Sequence, residues 1–180
     1  DVTIQGAPFK PQAVVKQMAP NKFSMEMVVE GMGAVMKQKF DGSTGYAEQQ
    51  GRRIPMSEED ISEKKSEKGL FPELYMEAGS VELESIVPIE GSDAYKIKVT
   101  KGEDVAFRFY SVDSGLLVRT EETNEVQGQT ITTVNDYSTY KEVNGVMIPY
   151  TWKLTTGPQV LVFDTTEVKV NEGVKEEDFK

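Results

Sequence analysis

Between Asn135 and Phe179 apolar and polar residues alternate in short runs broken by turn chemistry: a strand, Asn144-Gly145, a strand, Gly157-Pro158, a strand, and a polar tail. Both central residues of a type I′ turn need φ > 0, which Asn and Gly reach at low cost, so Asn144-Gly145 predicts a tight hairpin. The second turn joins YTWKL to VLVFDTTEVKV, and the three strands together predict an antiparallel meander with no crossover helix. The same reading extends upstream. VELESIVPI, AYKIKVT, VAFRFYSV, LLVRTEETNEV and QTITTVNDYSTYKEV are separated by Gly91-Ser92-Asp93, Lys101-Gly102-Glu103-Asp104, Asp113-Ser114-Gly115 and Gln127-Gly128, each suited to a hairpin. Within them Tyr95, Ile97 and Val99 form one apolar face, as do Val105, Phe107 and Phe109, with Lys96, Lys98 and Arg108 turned the other way.

The N-terminal half follows the same period. Residues 2 to 7 and 12 to 18 read as short strands, and Pro8 and Pro11 assign them to an edge or a turn, because proline cannot donate to a ladder. Phe23, Met25, Met27 and Val29 alternate with Lys22, Ser24 and Glu26, and beyond the turn Gly31-Met32-Gly33 the residues Ala34, Met36 and Phe40 share a parity opposite to Lys37 and Lys39. That Gly-Met-Gly is a turn and not a nucleotide loop: a dinucleotide fingerprint needs a third glycine, where Met36 stands, and a following helix. Tyr46 to Gln50 adds a strand that ends at Gly51, after which the pattern changes. Ser57-Glu58-Glu59-Asp60 supplies an N-cap with acids in the first turn, predicting a helix over 58–68 whose only apolar residue is Ile61. Leu70, Phe71, Leu74, Tyr75 and Met76 follow as a dense apolar segment that needs a cover, with Pro72 near a second helix start. Ten to twelve strands and a helical insertion at about 57–77 exceed what a small flat sheet holds, so a curled sheet is expected.

Composition narrows function more than fold. With 180 residues the chain is expected to form one domain, 1–180, with a sizeable core. Twenty Lys plus Arg against thirty Asp plus Glu give a net charge of −10, which opposes binding to nucleic acid through a general field. The chain has no Cys and no His, which removes thiolate chemistry and the commonest metal ligand and general base. A non-enzymatic protein with no cofactor and no metal is therefore expected. The acidic pairs Glu58-Glu59, Glu121-Glu122 and Glu176-Glu177 read as solvated faces and not as an acid/base pair, and the single Trp152 as core or rim packing. No stretch approaches the roughly 20 apolar residues of a membrane span, so no transmembrane segment is expected. The opening Asp1-Val2-Thr3-Ile4 lacks Met and begins in strand, and the chain reads as a mature or trimmed portion of something longer.

Four segments carry a resemblance to a known family: KFDGSTGY (39–46), FYSVDSGLLVRTE (109–121), DYSTYKEVNGVMIPY (136–150) and TEVKVNEGVKEEDF (166–179). In order, spacing and turn type they resemble the LolA-like superfamily of outer-membrane lipoprotein carrier and sorting proteins. The resemblance is nearest to the domain found alone in the periplasm or at the C-terminus of insulinase-like zinc peptidases. It implies a mainly β fold with one or two short helices, in which a strongly curved antiparallel sheet of about eleven strands forms an incomplete barrel with a helical lid or plug. It also implies a periplasmic lipid- or lipoprotein-binding or carrier role, with acyl chains as the partner held in an apolar half-barrel cavity. The alternative is a non-catalytic accessory or interaction domain of a larger peptidase polypeptide. The family's domain opens with a helix across the concave face, whereas this chain opens in strand. The family also places an arginine inside the barrel, and the sequence assigns none of Arg52, Arg53, Arg108 and Arg119 to that place.

Residues suited to the cavity wall are Phe23, Met25, Met27, Met36, Phe40, Tyr95, Ile97, Phe107 and Phe109, with Leu70, Phe71, Leu74, Tyr75 and Met76 as lid or plug. Met suits a site that accepts ligands of varied shape, being unbranched and polarizable. Apolar alternation is equally what any half-buried strand shows, so the pattern leaves core and cavity wall both open.

Overall fold

The computed structural model describes residues 1–4, 10–49, 51–66, 71–77, 79–102, 104–126 and 129–180. Strands dominate and pair antiparallel in two sheets, neither of which closes on itself. The first, of five strands, runs in sequence order through β2 (Gln12–Met18), β3 (Lys22–Val29), β4 (Gly33–Phe40), β5 (Gly45–Gln49) and β6 (Arg52–Pro55). The second, of eight, contains β7 (Val81–Ile89), β8 (Ser92–Lys101), β9 (Asp104–Ser111), β10 (Leu117–Val126), β11 (Gln129–Val143), β12 (Val146–Thr156) and β13 (Gln159–Asp164) as a continuous meander. The short β1 (Val2–Ile4) is added beside β13. The described residues fall into two compact units, one built on the five-stranded sheet with the C-terminal residues Lys169–Lys180, the other on the meander within Met76–Val168.

The hairpins form where turn chemistry predicts them. Val143 pairs with Val146 across Asn144 (φ 51°) and Gly145 (φ 83°), the two left-handed residues of a type I′ turn. Thr156 pairs with Gln159 across Gly157 (φ 55°) and Pro158, the glycine-first order of a type II′ turn. One expectation is corrected. The last strand stops at Asp164 instead of running on through Val170: the Thr165 amide still donates to the Tyr150 carbonyl at 2.7 Å, and the ladder ends there. Arg52–Pro55, which the sequence pattern did not single out, forms β6 at the sheet's edge, where the terminal proline is tolerated.

Among the described residues of the stretch 57–77 the structure has one α-helix, α1 (Glu58–Ser66), and a 3-10 turn, Pro72–Tyr75. Ser57 and Asp60 cap α1 reciprocally: the Asp60 amide donates to Ser57 Oγ at 3.1 Å and the Ser57 amide to Asp60 Oδ2 at 3.2 Å. No residue of α1 is buried, as its single Ile61 requires. Burial is concentrated elsewhere. In the first unit Phe40 and Phe179 are 0% and 1% exposed and Met27 and Val29 are buried, and in the second Ala94 and Phe109 are buried.

Candidate functional site

Register decides which apolar residues can meet a ligand together, because directly opposed residues stand on the same face of a sheet. In the five-stranded sheet Phe23 opposes Phe40, Met27 opposes Met36, and Met25 opposes Gln38. The first group of sequence candidates, Phe23, Met25, Met27, Met36 and Phe40, thus shares one face. The helix α1 lies against this face. Its residues Asp60, Glu63 and Lys64 line a cleft of about 340 Å³ with Gln38, Ala47, Gln49, Ile54, Pro55 and Met56. The Lys64 ammonium stands 5.6 Å from the centre of the Phe23 ring, and Asn21 Nδ2 donates to the Lys64 carbonyl at 3.2 Å, tying down the last turn of the helix. Phe40 is fully buried and Met27 nearly so, whereas Phe23, Met25 and Met36 are half-buried.

The second group divides. Lys101 pairs with Asp104, so the β8–β9 turn places Lys96 opposite Phe109 and Lys98 opposite Phe107. Phe107 and Phe109 therefore share a face with the lysines, and the Lys96 ammonium sits 3.9 Å from the Phe107 ring centre. Tyr95 and Ile97 stand on the other face, joined by Arg108, which opposes Ile97 and donates through Nε to the Tyr110 hydroxyl at 2.9 Å. The assignment of Phe107 and Phe109 to the face of Tyr95 and Ile97 is thus corrected: the two-residue turn pairs odd positions of one strand with even positions of the next.

Tyr95 and Ile97 gain partners that the sequence pattern did not single out. Val81 opposes Val99 and Leu83 opposes Ile97; an irregularity between Leu83 and Ser85 then shifts the register, so that Ile86, and not Ser85, opposes Tyr95. This bulge brings Val81, Leu83 and Ile86 to one face despite their unequal spacing. They are 39%, 57% and 54% exposed. The result is an uncovered apolar strip along β7 and β8.

The opposite face carries charge. Arg119, Asp136 and Lys153 oppose one another in turn on β10, β11 and β12. Arg119 Nε donates to Asp136 Oδ1 at 2.6 Å and Lys153 Nζ to Asp136 Oδ2 at 2.8 Å, with Glu121 and Glu90 at 3.6 and 3.8 Å from the two cations. Burial raises the affinity of Asp136 for a proton, but the hydrogen bonds from Lys153 and Arg119 and their charges outweigh it, and the carboxyl lies below its ordinary range. The hydrogen bond to Asp136 holds Lys153 above its ordinary value.

The lid candidates are mostly uncovered: Phe71, Leu74 and Tyr75 are 42%, 75% and 55% exposed and Met76 is half-buried, while Leu70 lies outside the described residues. Trp152 is half-buried and stacked on Phe163, ring centres 4.4 Å apart, with Nε1 donating to Asn135 Oδ1 at 3.0 Å. Among the described residues no cluster of carboxylates has the arrangement of a metal site, and no helix is long and apolar enough to cross a membrane.

The fold is LolA-like. A LolA superfamily protein from Nitrosomonas europaea superposes with a TM-score of 0.61 at 12% identity, over 99% of this chain and 86% of that one. A domain assigned as an outer membrane lipoprotein-sorting protein from Vibrio parahaemolyticus gives 0.63 at 10% identity, over 99% and 86%. A DUF1329 family protein from Desulfovibrio piger gives 0.62 at 10% identity, over 99% and 85%. At these identities the likeness is one of fold. No protein-family model and no curated protein matches the chain by sequence.

Proposed function

We propose that the chain is a non-enzymatic, periplasmic binding or carrier domain for the acyl chains of a lipid or lipoprotein. The observation that carries this reading is the strip on β7 and β8, where Val81, Leu83 and Ile86 stand exposed on the face of Tyr95, Ile97 and Val99. A contiguous apolar surface of this kind favours an apolar ligand or partner, and each buried methylene of an acyl chain contributes about 0.8 kcal/mol. The lipoprotein-sorting assignment of the Vibrio relative supports an acyl ligand, and the absence of His and Cys from the sequence supports a role without catalysis.

The test is native mass spectrometry of the purified protein, with thermal melts on adding fatty acid or a diacyl lipid. Bound lipid, or a melting temperature that rises with acyl ligand and ceases to rise in Leu83→Asp, is the expected result. No bound lipid together with no thermal shift would overturn the reading. The exposed Phe71, Leu74 and Tyr75 favour a second reading, a non-catalytic protein-interaction surface, which that negative outcome would bring forward.

A further inference from the structure

We propose that Met25, Met27 and Met36 form a thioether site for a soft monovalent cation, Cu(I) or its redox-inert analogue Ag(I). The sequence has eight Met but no Cys and no His, so thioether sulfur is its only soft ligand, and soft thioethers select Cu(I) over the divalent metals. Register brings three of the eight together. Met27 and Met36 oppose each other directly on β3 and β4, and Met25 lies two positions along β3 on the same face. Directly opposed Cβ atoms are about 5 Å apart and diagonal neighbours about 7–8 Å, spans that three flexible Met side chains can close around one ion. The β3–β4 register shifts immediately beyond this pair, between Met27 and Val28, and bulges recur where a strand must re-aim its side chains at a site.

A second feature is a cleft on the same face of the sheet. Gln38 and Gln49 line the cleft beneath α1, and they are the direct cross-strand partners of Met25 and Met36. The cleft therefore reaches strand positions neighbouring the thioethers, and the methionine in its own lining is Met56. Its charged lining, Asp60, Glu63 and Lys64, carries one net negative charge, and the whole chain carries −10, so a cation is drawn in and not repelled. The site stands independently of the acyl-binding proposal, since Leu would serve as well as Met to line an apolar wall but cannot ligate.

That difference supplies the experiment. The full chain, labelled with ¹³C at the Met methyl groups, is titrated with Ag(I) nitrate in chloride-free buffer, and the parent is compared with Met27→Leu/Met36→Leu. Saturable one-to-one binding is expected, with the methyl resonances of Met25, Met27 and Met36 moving and the other five remaining in place. Affinity should fall at least tenfold in the double variant while its melting temperature and circular dichroism are retained. Uniform small shifts at all eight methyl groups, no shift at equimolar Ag(I), or unchanged affinity in a folded double variant would each overturn the proposal. Should the double variant fail to fold, the pattern of shifts in the parent chain decides the matter alone.

Discussion

Arg119 faces Asp136 directly across the β10–β11 ladder and donates to it at 2.6 Å, and Lys153 completes the pair from β12. The Asp136 side chain is 14% exposed, so these bonds are largely sheltered from water and salt. Its carboxyl lies below its ordinary range in the folded protein, so the native state binds its proton later than the unfolded chain does as pH falls. The network's contribution is thus fully present above the unfolded Asp value of about 3.9 and is lost as pH drops through the lower folded value. Asp136→Asn should destabilise by about 1–3 kcal/mol at neutral pH, and the gap from the parent should close in acid. Urea unfolding at neutral pH and at about pH 3 measures both; a gap of equal size at the two would contradict the assignment.

Leu83 and Ile86 test surface against core. Both are more than half exposed, so Leu83→Asp and Ile86→Asp should change stability by no more than about 0.5 kcal/mol. Bound acyl ligand or hydrophobic dye should nevertheless fall about tenfold, equivalent to about 1.4 kcal/mol. Phe40→Ala is the contrasting case: its ring is fully buried, and the truncation should lose about 3–5 kcal/mol whether or not any ligand is present. Loss of dye binding in proportion to loss of stability would assign the strip to packing.

What the sequence disclosed was what is local. Asn144-Gly145 and Ser57 with Asp60 form the turn and the cap that their chemistry specifies within a few residues. The two sides of β8–β9 were not legible, because parity across a hairpin depends on the number of residues in the turn, and Lys101 to Asp104 offers more than one choice. The bulge at Leu83–Ser85 contains no Gly or Pro to announce it, yet it alone brings Ile86 to the face of Leu83. Arg52–Pro55 is too short and too polar to stand out as a strand until β5 pairs with it. Arg119, Asp136 and Lys153 lie seventeen positions apart in sequence, and only the register of two ladders turns them into a network.

The cap on α1 gives a smaller, local effect. With no buried residue in the helix, its first turn relies on the reciprocal Ser57 and Asp60 bonds. Ser57→Ala should remove about 0.5–2 kcal/mol from the helix while the sheets remain intact. Amide exchange should therefore speed up within residues 58–64 and stay unchanged in β3 and β4. Equal acceleration throughout the five-stranded sheet would mean that α1 and the sheet open as one.

Phe179 provides the converse test, of a residue distant in sequence that holds the five-stranded sheet. It is 1% exposed at the end of the 3-10 turn Glu176–Phe179, which packs against β3. Polar contacts surround it: Lys16 Nζ donates to Asp178 Oδ1 at 2.6 Å, Lys22 pairs with Glu176, and the Lys175 amide donates to Asp178 Oδ2 at 2.8 Å. The ion pairs are partly exposed, so water and salt discount them, whereas the ring has no alternative once its site is vacated. Phe179→Ala should cost about 3–5 kcal/mol and accelerate amide exchange along β3, and Asp178→Ala should leave that exchange nearly unchanged. Raising the salt concentration should matter little for either protein, because apolar burial does the holding. If Asp178→Ala proved the more damaging substitution, the polar contacts and not the ring would be what fixes this segment to the sheet.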